Sequence, residues 1–141
     1  MWDNPVPGTR EDHLYIANIH DNPPGWQPFA WLEPGHGQQV FGEMHTIRGS
    51  GSTGDYRCGL WRTGVGMPGC APDGSAQFSS TSQLGDETML LLEGRARIVN
   101  EETDEGYDLK GGDVLALPAG LPVRWHCKPP FLKLFRVITR A

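Results

Sequence analysis

Two stretches decide the fold of this chain, ETMLLLEG at residues 87–94 and GDVLALPAG at residues 112–120. Each contains a short apolar run of the length typical of a buried strand. Each run ends at turn residues, Gly94 in the first stretch and Pro118 and Gly120 in the second. Gly94 and Gly112 are 18 positions apart, which is enough chain for one hairpin. The sequence therefore predicts two strands joined through a hairpin with the acidic tip EETDEG.

The composition of the whole chain favours strands and turns. Among its 141 residues are 19 Gly and 12 Pro, about 22% of the chain, which excludes a helical bundle or coiled coil because both residues destabilise helices. Hydrophobic residues make up 38% of the chain and occur in blocks, so the chain is not disordered. Further strand patterns occur at residues 38–48, 56–64 and 131–139. Eight to ten short strands predict a sandwich, jelly roll or closed barrel.

Charge and cysteine content exclude several classes of protein. The 12 basic and 17 acidic residues give a formal charge of −5, and no basic run could neutralise a nucleic-acid backbone. No apolar stretch is long enough to span a membrane and the N-terminus lacks a hydrophobic signal region, so we expect a soluble cytoplasmic protein. The three cysteines lack CxxC spacing and are expected to be reduced, mostly buried thiols: Cys58, Cys70 and Cys127.

The N-terminal region differs in composition from the rest. Residues 1–35 are rich in Pro, Asp and Asn, and we expect them to form an arm that packs on the barrel of residues 36–141 or on a partner subunit. Within the arm, HLYIANI at residues 13–19 favours a short edge strand. Exchange of this arm, or extension of a sheet, would give a homodimer. The expected anchors of the arm are Trp26, Phe29, Trp31 and Leu32.

The two stretches together resemble the paired motifs of the cupin superfamily. In the first stretch Glu87 is followed by six residues and Gly94, and in the second Gly112 is followed by five residues and Pro118-x-Gly120. The resemblance covers roughly residues 56–138. It implies an all-β, single-domain double-stranded β-helix, a jelly-roll barrel, here with an extended N-terminal arm.

Three further positions resemble the ureidoglycine aminohydrolase-like cupins. They are the Gly59-Leu-Trp61 stretch, Trp125 five positions after Gly120, and Lys133 in LKLF. The chain departs from the superfamily where metal-binding members present histidines. Its residues at the ligand positions are Thr81 and Gln83 (or Ser80 and Ser82), Glu87 and Val123.

Thr, Gln and Val are poor ligands for a transition metal, so we predict no cofactor. One displaced divalent-metal site stays open as an alternative. Phe41, Glu43, His45 and Ile47 alternate along one strand, so Glu43 and His45 could join Glu87 as ligands. The competing interpretation places Glu43 and His45 on an outer sheet face.

Strand parity predicts the lining of the barrel. Glu87, Met89 and Leu91 share one face, and a second strand presents Val123, Trp125 and Cys127. The last strand would add Phe131, Lys133, Phe135 and Val137, and the cavity is completed by Trp61, Phe78, Thr81 and Gln83. Such a Trp-lined pocket with one carboxylate and one ammonium suits a small organic ligand.

The pocket predicts a small-molecule-binding cupin, and an enzyme is the favoured interpretation. Glu87 would act as the general acid or base and Lys133 as its electrostatic partner in a hydrolase, lyase or isomerase acting on a small organic acid or amide. A purely structural Glu87–Lys133 ion pair is equally coherent. Two other functions stay open: a non-catalytic metabolite-binding or sensory cupin, and a cyclase-type tailoring enzyme for a hydrophobic substrate.

Overall fold

A computed structural model describes residues 13–20 and 23–140 of the chain. All regular secondary structure within these residues is β-strand, and no helix that could span a membrane occurs among them. The strands are β1 (Gln27–Glu33), β2 (Gly37–Arg48), β3 (Asp55–Gly64), β4 (Ala76–Ser80), β5 (Asp86–Glu93), β6 (Arg95–Asn100), β7 (Gly106–Lys110), β8 (Val114–Leu117), β9 (Val123–Cys127) and β10 (Phe131–Arg140).

The strands form two antiparallel sheets that enclose one core. One sheet has six strands in the order β1-β2-β3-β10-β5-β8, and the other has four in the order β4-β9-β6-β7. The two deciding stretches of sequence are neighbours, since β5 pairs with β8 and places Glu87 opposite Leu117. The all-β, single-core prediction is confirmed. The buried apolar centre between the sheets includes Trp61, Met89, Leu91, Ile98, Val123, Trp125, Leu132 and Leu134.

The N-terminal segment lies along the six-stranded sheet. Residues 27–33, inside the predicted arm, form β1 at the edge of that sheet and pair with β2. The edge strand predicted around residues 14–19 does not form, because residues 13–20 have no strand neighbour to pair with. Leu14 and Ile16 are 84% and 85% exposed. Leu32, expected as an anchor, points to solvent and is 68% exposed.

A bulge in β2 changes which residues share a face. The pairing of β1 with β2 shifts between Pro28 and Ala30, at the level of Gly42. Gly42 has a φ of +68°, a left-handed conformation that favours glycine. Phe41 and Met44 therefore both pack against the core, whereas Glu43 faces outward to Arg62. The prediction that Phe41 shares a face with Glu43 and His45 was wrong, since a bulge inserts one residue into the alternation.

Candidate functional site

Aromatic rings fill one end of the barrel interior and are in contact with one another. Phe78 on β4 lies at their centre, stacked on Phe41 with 4.9 Å between ring centroids and edge-on to Trp61 at 5.7 Å. Trp31 continues the group toward the edge of the sheet, 5.4 Å from Phe78 and 5.2 Å from Phe29. Such offset and edge-to-face pairs stabilise a rigid apolar wall.

Two cavities lie beside this wall. The larger, which we call the mouth cavity, has a volume of about 610 Å³ and opens between β1, β2, β3 and β10. The smaller is an inner space of about 30 Å³, the size of one water molecule, lined mainly by Phe29, Trp61, Phe78, Met89 and Trp125. The side chains that define the mouth cavity are Phe29, Trp31, Met44, Arg57, Arg136 and Ile138.

Arg136 lines both cavities and is the charged group at their boundary. Its side chain is 14% exposed, and its Nε lies 3.0 Å from Oε1 of Glu87. The guanidinium carbon lies 5.0 Å from the ring centre of Phe29, a cation–π contact. An ion pair behind it and an aromatic ring beside it hold this guanidinium at the floor of the mouth cavity.

Glu87 is 4% exposed and lies behind Arg136. Its Oε2 accepts a hydrogen bond of 2.9 Å from Ser82 Oγ. Its Oε1 is close to Arg136 Nε, yet the N–H is not directed at it, so this oxygen makes no hydrogen bond among the described residues. The contact is a charge–charge interaction, and Oε1 keeps the capacity to accept a proton or a hydrogen bond.

The structure does not bring Lys133 to Glu87. The register of β5 and β10 places Glu87 opposite Ile138 and Lys133 opposite Glu93, at the other end of the pair. Lys133 Nζ instead donates a 2.7 Å hydrogen bond to the carbonyl of Ile19, in the N-terminal segment. The predicted pairing of Lys133 with Glu87 was wrong because the inward residues of β10 are Leu132, Leu134, Arg136 and Ile138.

Phe135 shares the outward parity of Lys133, so its predicted place in the lining is corrected as well. It lies opposite Leu60 and Leu90 on the neighbouring strands, and Leu60 is itself buried. The other predicted lining residues are placed inside. Trp61, Phe78, Met89 and Trp125 line the inner space, and Leu91 and Val123 are buried in the core beside it.

With this geometry in place, comparison with known proteins identifies the family. Residues 52–135, which are 84 of the 141 residues, match the family model described as the EutQ-like cupin domain. The chain belongs to this cupin family. No curated protein sequence matches it.

Solved structures share the fold of this cupin at low sequence identity. A protein of unknown function from Rhizobium leguminosarum is 16% identical with a TM-score of 0.54, over 70% of this chain and 80% of that chain. A cupin-2 domain protein from Shewanella frigidimarina is 18% identical with a TM-score of 0.50, over 69% and 79%. The Clostridium difficile EutQ protein is 13% identical with a TM-score of 0.51, over 72% and 69%. At these identities the likeness concerns the fold alone.

Hydrogen bonds to β1 hold two of the predicted site residues of this cupin, Thr81 and Gln83, outside the mouth cavity. Glu33 is 2% exposed and accepts hydrogen bonds from Trp31 Nε1 and from the backbone N–H and hydroxyl of Thr81. Gln83 is exposed and donates through Nε2 to the carbonyl of Leu32. Thr81 and Gln83 therefore connect the loop that follows β4 to β1. Their predicted role as pocket lining was wrong.

The same contacts test whether this cupin could hold a metal at the usual superfamily position. Thr81 and Gln83 are engaged with β1, and Val123 has no donor atom. Glu87 is the one strong donor, and its neighbour is the guanidinium of Arg136. One carboxylate beside a fixed cation does not fit a divalent metal, which requires several imidazole or carboxylate ligands.

The alternative ligand set Glu43, His45 and Glu87 is also not assembled. Glu43 and His45 lie on the outer face, where Glu43 forms a 2.8 Å ion pair with Arg62 and His45 packs 5.8 Å from Trp26. Glu87 points into the barrel. Within residues 13–20 and 23–140, no group of three or more His, Cys, Asp or Glu side chains is arranged to bind a metal ion.

Sequence reasoning missed the arginines of the mouth cavity, Arg57 and Arg136. In FLKLFRVIT (131–139) apolar residues occupy odd and even positions alike, because β10 is covered on its outer as well as its inner face. The alternation of apolar and polar residues therefore does not show which side chains point into the barrel. One signal could have found Arg136. A carboxylate that points into the barrel, such as Glu87, needs a cation on the same face of the sheet. On β10, Arg136 is the cation with the same parity as the inward residue Leu134.

Cys127 is completely buried. Burial raises the pKa of its thiol to about 12, because a thiolate would be poorly solvated in the core. A thiol that holds its proton so strongly is not a nucleophile near neutral pH.

Proposed function

We propose that this cupin binds a small organic acid in the mouth cavity, with Arg136 holding the acid group. The observation that carries the proposal is a largely buried guanidinium at the floor of an apolar, aromatic cavity of about 610 Å³. A concave site of this size, mostly apolar with a few fixed polar groups, is typical of small-molecule binding.

The physical basis is preorganisation. Glu87 and Phe29 fix the guanidinium before a ligand arrives, so little side-chain entropy is lost on binding. Nε lies 3.0 Å from Oε1 of Glu87, and the two Nη groups make no hydrogen bond to a described residue. A planar guanidinium can present two parallel N–H groups to a carboxylate, which is stronger and more selective than a contact with an ammonium.

The proposal is tested with isotopically labelled protein and a panel of small organic acids. We expect the backbone signals of Phe29, Met44 and Ile138 to shift on titration, while those of Arg124, on the outer face of the other sheet, stay unchanged. The Arg136→Lys variant keeps the positive charge but loses the planar pair of N–H donors. It should weaken ligand binding without changing which backbone signals shift. Shifts confined to residues outside the mouth cavity, or none at all, would contradict the proposal.

A second function is favoured by the free oxygen of Glu87. Oε1 is buried, lies 3.0 Å from Arg136 Nε and makes no hydrogen bond to a described residue, so it has the free capacity to accept a proton. This supports a hydrolase, lyase or isomerase of the kind that the ureidoglycine aminohydrolase-like resemblance suggests, with Glu87 as the acid or base and Arg136 in the electrostatic role once expected of Lys133.

Two measurements distinguish the enzyme from the binding module, one on the Glu87→Gln variant and one on the wild-type chain. If this cupin is an enzyme, Glu87→Gln should lower turnover of organic acids and amides far more than it weakens their binding, since the amide retains the shape but not the basicity of the carboxylate. If it is a binding or sensory module, the wild-type chain should release every ligand unchanged, as judged by mass spectrometry of the recovered compound.

A further inference from the structure

The mouth cavity contains a second cation, and its position on the sheet relates it to Arg136. Arg57 on β3 lies opposite Ile138 on β10, and Arg136 lies opposite Gly59, so the two arginines are diagonal neighbours on the inner face. Diagonal neighbours across an antiparallel pair are roughly 7–8 Å apart. Two arginine side chains starting from that spacing can reach one carboxylate between them.

The charges of the lining do not cancel. Glu87 neutralises Arg136, but none of the described carboxylates forms an ion pair with Arg57, which lies exposed at the rim. No Asp or Glu belongs to the lining of the mouth cavity within the described residues. Among the described residues, the lining thus has one uncompensated positive charge and no acidic group that could bind an ammonium.

The remaining wall is mainly apolar, with Gln27, His45 and Thr46 as its polar members. Aromatic and aliphatic surface lines the mouth cavity between Arg57 and Arg136, contributed by Phe29, Trp31, Met44 and Ile138. We infer that the ligand is a monocarboxylate with a flat apolar body, and that Arg57 and Arg136 grip its carboxylate together. This inference rests on the proposed function and narrows it: neutral amides and zwitterionic amino acids should bind more weakly than the matching acids.

The reason for this difference is hydrogen-bond matching. Guanidinium groups only donate, so a carboxylate satisfies both arginines, whereas the NH₂ of an amide would face two cationic donors. An amino acid would bring an ammonium toward Arg57 with no carboxylate to receive it. Binding sites reject analogues strongly when their buried polar groups are left unpaired.

The test uses matched probes and a rim variant that should fold normally. Benzoate, phenylacetate, cinnamate and indole-3-acetate are titrated by calorimetry, each beside its primary amide, with phenylalanine as the zwitterion. At least one acid should bind about tenfold or more tighter than its amide, in line with the strength of charged hydrogen bonds. Arg57→Gln should reduce that preference about tenfold and leave amide binding unchanged, and the matched control Arg124→Gln should leave both unchanged.

The outcomes are separable. Amides that bind as tightly as acids, or an acid preference that survives Arg57→Gln, would overturn this inference and leave the mouth cavity as a binding site. If none of the acids, amides or phenylalanine binds up to its solubility limit, the proposed function fails and the inference fails with it.

Discussion

Glu87 and Arg136 meet across β5 and β10 although their backbones are not opposite each other. The register pairs Glu87 with Ile138 and Arg136 with Met89, so the two charges approach along a diagonal of the inner face. This leaves the guanidinium beside Phe29 at the cavity floor and the carboxylate behind it. Glu87 is thereby a positioning residue for Arg136 in the binding function that we propose.

The diagonal pair predicts strong thermodynamic coupling. Glu87→Gln or Arg136→Gln alone leaves an unpaired charge in the barrel and should lower the free energy of unfolding by about 3–5 kcal/mol. The double variant removes both charges and should lose clearly less than the two single losses combined. Urea denaturation of the wild type, the two single variants and the double variant gives the coupling free energy between the two charges. Additive losses of stability would show that the two charges do not stabilise each other.

Glu33 gives a second prediction, about stability rather than binding. Glu33→Gln replaces one accepting oxygen by an NH₂ group that would face a donor on Thr81 or Trp31. We expect a loss of about 1–3 kcal/mol from the unsatisfied donors. Tryptophan fluorescence during denaturation reports it, and Glu93→Gln, at an exposed position, is the matched control that should change little.

These pairs show how far the sequence alone could go. The paired motifs around Glu87 and Gly120 predicted the cupin barrel, because turn glycines and apolar strands are local features. Phe78, Trp61 and Trp125 were also predicted inside, and the structure places them there. Of these, Trp125 lies on β9, a strand in which fully buried and more exposed positions alternate regularly. Local patterns of this kind were sufficient for the fold and for part of the aromatic wall.

The charged part of the site could not be obtained in the same way. Strand parity predicted Lys133 in the lining, and this was wrong because β10 is covered on both faces, so its hydrophobic pattern does not show which face points inward. Phe41 was placed with Glu43 because the bulge at Gly42 is set by tertiary contact, the hydrogen bond from its N–H to the Pro68 carbonyl. Both errors concern long-range register, which one strand does not encode.

The bulge itself can be tested. Gly42→Ala puts a Cβ into a left-handed conformation and against the carbonyl oxygen of Arg62 on the adjacent strand. Gly120→Ala has a similar φ of +80° but open space around the new methyl group. We expect Gly120→Ala to cost about 1–2 kcal/mol and Gly42→Ala distinctly more. Equal melting temperatures for the two variants would contradict the requirement for a close approach at Gly42.

Cys127 predicts a pH dependence. Burial raises its pKa from 9.0 to about 12, so the unfolded chain loses the thiol proton at lower pH than the folded chain does. Its contribution to stability is constant below about pH 9 and then falls by roughly 1.4 kcal/mol per pH unit until about pH 12. Cys127→Ala should lose this part of the alkaline slope in denaturant titrations. An unchanged slope would mean that the thiol ionises normally in the fold.

Lys133 gives the last prediction, which separates it from the binding site. Lys133 is 9% exposed and its ammonium donates a hydrogen bond to the Ile19 carbonyl, so Lys133→Met should release residues 13–20 from the sheet. We expect faster limited proteolysis within this segment, with acid binding in the mouth cavity unchanged because Lys133 faces the opposite side of β10. Lys110→Met, at an exposed position of the other sheet, should alter neither measurement. If Lys133→Met lost acid binding while residues 13–20 stayed protected, Lys133 would belong to the binding site. That result would contradict the outward orientation of Lys133 on β10.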